Sequence, residues 1–274
     1  MAITAADVNK LRQMTGAGMM DCKKALTETD GDFEKAIEYI RKSGQAVANK
    51  RADRETTEGC VLAKTNDGKF GVILALCCET DFVAKNESFI ALTTSIIDVA
   101  LANKVTSKEA LLQLPLQDTT VQEVITGQIG VIGEKLEING FDTITGEMVT
   151  AYIHSGNKLA TLVAFNQAGI EVQVGRDVAM QVAAMAPVAV DASSVPANVV
   201  EKEREIAREL ARNEGKPEAM LDKIADGRVQ KFFKESTLME QEFVKDNKKT
   251  IKVYLDGVSK GLVVTDFKRF TLNI

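Results

Sequence analysis

Between Thr4 and Ile40 the apolar residues recur three and four positions apart, the repeat that lays a stripe along one side of a helix. Val8, Leu11 and Met14 stripe a first helix, with Thr4 placed to cap it and Asp7 at the N3 position of a capping box. Thr15-Gly16-Ala17-Gly18 breaks the pattern. A second helix over 19–27 carries Met19, Cys22 and Leu26 on one face, and Asp30-Gly31 turns the chain. Asp32 caps a third helix striped by Phe33, Ala36, Ile37 and Ile40, with Gly44 as its expected stop. The three form a small bundle over 1–44. From 45 to 58 the apolar signal gives way to Lys50, Arg51, Asp53, Arg54, Glu55 and Glu58, which reads as a linker.

The period then changes to two. Runs over 60–65 and 69–76 flank Asn66-Asp67-Gly68, and Asp-Gly between two β-rich runs is a strong hairpin signal. A helix follows over 86–103 with Phe89, Leu92, Ile96 and Val99 in register, and Ser107 caps a shorter one. A further helical pattern over 120–132 is weakened by Gly127 and Gly130, each worth about 1 kcal/mol relative to Ala. Strand-like sequence resumes near Lys135. A second hairpin covers 148–154 and 159–165 around Ser155-Gly156-Asn157, and a helix over 174–185 follows it. The succession of strand pair and helix thus occurs twice, which predicts an α+β fold. It has two related core subdomains with antiparallel sheets, one over 59–146 and one over 147–190 and 228–274.

Residues 191–227 interrupt the second unit. Their charge-rich helical sequence has two thin seams, Val199, Ile206 and Leu210 in one and Met220, Leu221 and Ile224 in the other, separated by Gly215-Lys216-Pro217. We expect a protruding helical hairpin in coiled-coil style, whose seam is too thin to bury much surface without a second copy or another protein. Phe232, Phe233, Phe243 and Val244 mark the return to the globular body. Residues 251–255 read as helix or strand and 267–274 as a final strand.

Composition narrows the function. The chain has 274 residues, 45% hydrophobic and 27% charged, with a formal net charge of −5 and no basic stretch interleaved with aromatics, so direct nucleic-acid binding is not expected. No apolar run approaches the roughly 20 residues of a membrane span, and the N-terminus does not read as a secretory signal, so a cytoplasmic location is expected. One histidine and no CxxC pattern among 4 cysteines leave little for a metal site, and no cofactor is expected. Cys77 and Cys78, adjacent in a strand, face apart and read as core thiols. Gly16-Ala17-Gly18 lacks the third glycine and the preceding strand of a dinucleotide fingerprint. Glu134 stands where a phosphate loop over 127–133 would need Lys.

The most unusual segment is Glu79-Thr80-Asp81-Phe82-Val83-Ala84-Lys85-Asn86, between a strand and a long helix. Phe82 either tucks under its own helix or is an aromatic anchor for a partner, since burial of such a ring is worth about 1.5–3 kcal/mol. His154, at a hairpin turn, is either a solvated polar residue or a functional one.

These residues carry a family resemblance. The run Leu11-Arg12-Gln13-Met14-Thr15-Gly16-Ala17-Gly18-Met19-Met20-Asp21-Cys22-Lys23-Lys24-Ala25-Leu26 resembles the N-terminal signature of bacterial elongation factor Ts. Thr80-Asp81-Phe82-Val83-Ala84-Lys85 is similar to the second signature, and Ile132-Gly133-Glu134, Tyr152-Ile153-His154 and 227–232 follow in the family's order. The resemblance implies a guanine-nucleotide exchange factor that binds the GTPase elongation factor Tu, in GDP and nucleotide-free forms, and catalyses no chemical conversion. It implies that the N-terminal bundle is like a ubiquitin-associated (UBA-like) domain and rests on the partner's nucleotide-binding domain. It also implies that the Asp81-Phe82 loop pushes between partner helices near the magnesium and phosphate site, with His154 in the same contact region. Lys23, Thr80, Val83, Ile132 and Gly133 complete the implied partner-binding set. In some members the helical hairpin makes a homodimer. The chain departs from the family at Ala75, Cys77 and Lys158, and a C-terminal helical extension of some members is expected to be absent. Two rival expectations are a non-catalytic interaction adaptor using the N-terminal bundle and a thiol-dependent enzyme using Cys77 or Cys78.

Overall fold

The computed structural model describes residues 3–272. Helix α1 (Ala5–Thr15) starts at Thr4, whose side chain accepts from the Asp7 N–H while the Asp7 carboxylate takes the Thr4 N–H, and ends at Gly16 in the left-handed region. Helix α2 (Met19–Glu28) follows. Met14 and Met19, read from the pattern as core-facing, stand exposed. Leu11, Ala17, Cys22, Ala25, Leu26 and Ala36 fill the bundle core instead.

Helix α3 (Phe33–Lys50) is capped by Asp32 as expected but does not stop at Gly44; it runs to Lys50. Gly44 serves contact rather than termination. A Cβ there would lie 3.2 Å from the Thr126 carbonyl oxygen, and one on Gly130 would lie 2.6 Å from the Gly44 Cα. Two glycines let α3 cross a later helix at backbone distance.

Strands β1 (Glu58–Asn66) and β2 (Phe70–Cys78) pair antiparallel. Their turn places Asp67 and Gly68 at φ 55° and 63°, the two positive values of a type I′ turn, and the Lys69 N–H donates to the Asn66 carbonyl. Then come α4 (Asp81–Ala84), α5 (Glu87–Asn103), α6 (Lys108–Gln113), the short strands β3 (Pro115–Leu116) and β4 (Thr119–Thr120), α7 (Val121–Ile132) and β5 (Glu137–Thr145). β5 joins the other edge of β2, giving the order β1-β2-β5.

Strands β6 (Met148–Ile153) and β7 (Leu159–Phe165) make the second hairpin, and α8 (Val172–Met185) packs behind it. Helices α9 (Ala197–Asn213) and α10 (Leu221–Ser236) lie antiparallel, bridged by Arg204–Asp226 and Arg208–Asp222, while Arg212 pairs with Glu218 in the turn between them. Strands β8 (Glu242–Phe243) and β9 (Asp246–Thr250), helix α11 (Ile251–Val258) and β10 (Val264–Thr271) close the chain, β10 completing the order β10-β7-β6. The end of the final strand read from the pattern, at 273–274, lies outside the described residues.

The fold is α+β with antiparallel sheets. Alternate residues of the strands separate its cores: Cys60, Leu62, Val72, Leu74, Leu76 and Cys78 face α5 and α7. Val61, Ala63, Ile73, Ala75 and Cys77 face Ala160, Leu162 and Ala164 of the other sheet. Val163 and Phe165 face α8 and α11. The two sheets therefore pack face to face with helices outside, and β2 is buried along its whole length.

The α9–α10 seam also differs from the pattern. Ala207 and Ala211 meet Leu221, Ala225 and Val229, while Ile206, Leu210 and Met220 face outward. Small residues at a spacing of four let the two helices lie close. Phe232 and Phe233 belong to α10, and Val244 is exposed, so of the four residues read as marking the return to the body only Phe243 enters a core.

Candidate functional site

α4 has one turn, and its sequence decides which way each side chain goes. Ala84 is buried and Val83 packs on the core between β1-β2-β5 and α5. On a helix this leaves the residue before Val83 turned away from that core. Phe82 is 83% exposed, more than any other large hydrophobic side chain among the described residues. Of the two readings left open by the pattern, the ring turned outward is the one observed. Beside it, Lys85 Nζ donates to Asp81 Oδ2 at 2.6 Å. That hydrogen bond, with the smaller help of the Lys85 and Lys158 charges, holds the Asp81 carboxyl below its usual range against the opposing effect of desolvation.

The root of α4 is tied to the α7–β5 connection from both sides. The N–H groups of Glu79 and Thr80 donate to Glu134 Oε2 at 3.1 and 3.0 Å, and the Thr80 hydroxyl donates to Glu134 Oε1 at 2.6 Å. In return the Lys135 N–H donates to Glu79 Oε1 at 2.7 Å, and Arg51 Nη1, just past α3, donates to both Glu79 oxygens at 3.0 and 2.9 Å. Ile132 ends α7 and Gly133 caps it at φ 78°, turning the chain so that Glu134 reaches Thr80.

Desolvation pushes Glu79 up, but the Lys135 N–H and Arg51 outweigh it and hold its carboxyl below the usual range. A lowered folded-state value stabilises above the unfolded carboxylate range and loses that contribution as pH falls through the folded value. Acid titration followed by chemical denaturation should therefore show stability declining below the ordinary carboxylate range. Arg51→Ala is expected to flatten part of that slope and to raise the Glu79 value seen by carboxyl carbon NMR. An unchanged Glu79 titration in Arg51→Ala would show that the ion pair carries no weight.

His154 is exposed at the β6–β7 turn, where the Tyr152 hydroxyl and His154 Nδ1 share a hydrogen bond of 2.9 Å. That turn sits at the same end of the molecule as α4: the Val61 N–H donates to the Asn157 carbonyl, Lys158 Nζ lies 2.8 Å from Glu58 Oε2, and Glu58 pairs with Cys78 at the end of β2. Thr80, Asp81, Phe82 and Val83 are thus brought together with Ile132, Gly133 and the His154 turn. Lys23 is exposed on α2, and no hydrogen bond or ion pair among the described residues joins it to this group.

Glu79 and Glu134 lie in segments the sequence pattern marks out, but their roles, and the membership of Arg51, are not readable locally, because their partners lie at least 28 residues away in the chain. Met20 had a readable signal. Neighbours on a helix diverge by about 100°, so Met19 and Met20 cannot both face one core. They are 61% and 75% exposed.

All four cysteines are free and buried. Burial pushes the Cys60 and Cys77 thiols up to about 11, and burial followed by the nearby Glu134 charge pushes Cys78 up to about 12. None of these three is poised to supply a thiolate at neutral pH, which removes the basis of the thiol-dependent alternative. Among the described residues no cluster of three or more His, Cys, Asp or Glu is arranged to hold a metal ion, and no helix is long and apolar enough to cross a membrane.

Residues 79–273 match the protein family described as Elongation factor TS. The chain is 57% identical over 274 residues to the Elongation factor Ts of Porphyromonas gingivalis, covering 100% of this chain and 99% of that protein. It is 55% identical over 272 residues to that of Amoebophilus asiaticus, 98% of each chain, and 54% identical over 275 residues to that of Cytophaga hutchinsonii, 99% of each.

Proposed function

Because the chain belongs to the elongation factor Ts family, a family of translation elongation factors, we propose that it is a guanine-nucleotide exchange factor for the GTPase elongation factor Tu. The observation that carries the reading is the Phe82 ring, presented to solvent just past the end of a strand that is buried along its whole length. An exchange factor must bind the nucleotide-free GTPase more tightly than its GDP form, and GDP then weakens the factor's hold by the same ratio. A ring that is buried only when partner helices near the magnesium and phosphate site move apart supplies such a differential contact. Asp81, Thr80, Val83, Ile132, Gly133 and His154 line the approach. The UBA-like bundle of α1, α2 and α3 contributes Lys23 and the exposed Met19 and Met20 on the partner's nucleotide-binding domain. The core subdomain over 147–190 and 228–274 faces the partner's third domain. Stopped-flow release of fluorescent GDP from elongation factor Tu tests this: the chain should accelerate release, and tight complex formation without acceleration would leave only an adaptor.

The outward face of α9 and α10 supports a homodimer through the hairpin. Ile206 and Leu210 are unused by the Ala207–Ala211 seam and, with Phe232 and Val229, line a shallow groove. Ile206→Asp with Leu210→Asp is expected to shift sedimentation from dimer to monomer while leaving GDP release within about twofold, since neither residue supports the intramolecular seam. A dimer that survives both charges would place its interface elsewhere.

A further inference from the structure

We propose that Glu134 is a positioning residue, whose carboxylate fixes the backbone at Glu79 and Thr80 so that Phe82 already stands out from the surface before a partner arrives. The inference rests on the exchange-factor reading and deepens it by naming what holds the ring in place.

Helix α4 has little of its own to keep it in shape. Four residues are too few for a self-supporting helix. Thr80, its N-cap, makes no side-chain cap, because its hydroxyl is turned to Glu134. The Asp81–Lys85 ion pair is exposed at both ends, a class of contact that contributes little. The ring itself, 83% exposed, has almost no packing to anchor it. What remains is the contact of Val83 and Ala84 with the core, the Cys78 thiol donating to the Thr80 carbonyl at 3.2 Å, the Arg51 bonds to Glu79, and the reciprocal clasp between 79–80 and 134–135, which alone reaches the Thr80 N–H and hydroxyl.

Three donors converge on the Glu134 carboxylate, and bonds to an ionised acceptor are the strong kind. Its place in the chain is settled by the left-handed cap at Gly133, and Lys135 beside it closes the clasp on the Glu79 side chain. Release of Glu134 would free the strand end to wander, and a binding event would then have to order it again. Preorganisation of this kind raises affinity by removing that cost rather than by adding a contact.

The test uses the full chain with Glu134→Ala, Glu134→Gln, Phe82→Ala and the Glu134→Ala/Phe82→Ala double variant. In the free protein, amide hydrogen exchange at Glu79, Thr80 and residues 81–85 is expected to quicken about tenfold in Glu134→Ala. It should stay near wild type in Glu134→Gln, whose amide oxygen still accepts the two N–H groups while the Thr80 hydroxyl turns to accept from its NH2 group. In the GDP-release assay Glu134→Ala should be about threefold to tenfold slower than wild type, but should add nothing in the Phe82→Ala background. Equal losses in both backgrounds, an unchanged amide-exchange pattern, or a Glu134→Gln chain as mobile as Glu134→Ala would each overturn the proposal. A wild-type chain that released no nucleotide would sink the exchange-factor reading instead, and the amide-exchange arm would still decide the role of Glu134. Should Glu134→Ala fail to fold, Thr80→Val removes one of the three bonds and is expected to show the same pattern at smaller amplitude.

Discussion

Phe82→Ala is expected to slow GDP release from elongation factor Tu by about tenfold to a hundredfold, with no measurable change in the protein's own melting temperature. The two halves of the result come from the same number. A ring 83% exposed has little to lose when the isolated chain is considered, so its removal costs the fold almost nothing. In a complex that buries it, the lost transfer free energy is about 1.5–3 kcal/mol, which converts to roughly tenfold to a hundredfold in rate if the contact is made only with the displaced partner helices. Phe82→Leu should fall between wild type and Ala, because it keeps apolar volume but not the flat ring. The measurement is release rate against factor concentration, paired with calorimetric melting. Wild-type exchange by Phe82→Ala would falsify the anchor. A large fall in melting temperature would mean that the ring supports its own molecule.

Gly130→Ala and Gly127→Ala should move stability in opposite directions although both place the same residue in the same helix. Propensity alone predicts a gain of about 1 kcal/mol for either. At Gly127 no atom beyond its own helical turn lies within 4 Å of the new methyl, and the gain should be seen in full. At Gly130 the methyl would stand 2.6 Å from the Gly44 Cα, and backbone cannot rotate away as a side chain can. Relief requires α3 to lift from α7, opening the Val131 contact with the N-terminal bundle and straining the Arg51–Glu79 pair at the end of α3. We expect a loss of about 1–3 kcal/mol against wild type, the cost typical of overpacking, which sets the two variants about 2–4 kcal/mol apart. Early proteolytic cleavage within 51–57 should accompany it. Denaturant midpoints for the two variants decide the matter, and a stabilised Gly130→Ala would mean that the crossing is looser than described.

Much of this architecture is legible in the amino-acid pattern because the deciding interactions are local. Thr4, Asp32 and Asn86 each cap a helix a few residues away, and Asp67-Gly68 makes a turn that its own backbone demands. The alternation of β1 and β2 separates Cys77 from Cys78 without reference to any distant residue. The pattern fails where a residue type has two physical uses. Glycine at position 44 reads as a stop because left-handed caps favour it, but it equally permits close approach, and only the position of Gly130 distinguishes the two. In α9 the large residues Ile206 and Leu210 look like the seam, whereas Ala207 and Ala211 form it, since small side chains bring helices together. Phe82 could not be oriented without knowing that Val83 and Ala84 find a core beneath them. Glu134 acts across 54 to 55 residues of chain, beyond the reach of any spacing rule.

Strand β2 is covered on both faces and paired on both edges, and α4 begins three residues after its last member. When two bodies press on each other, the softer one deforms. A ring mounted on a compliant loop would fold back under the load of another molecule's helices and leave them undisturbed. Mounted just past a strand with no free face or edge, the ring is expected to recoil little and to leave the yielding to whatever it meets.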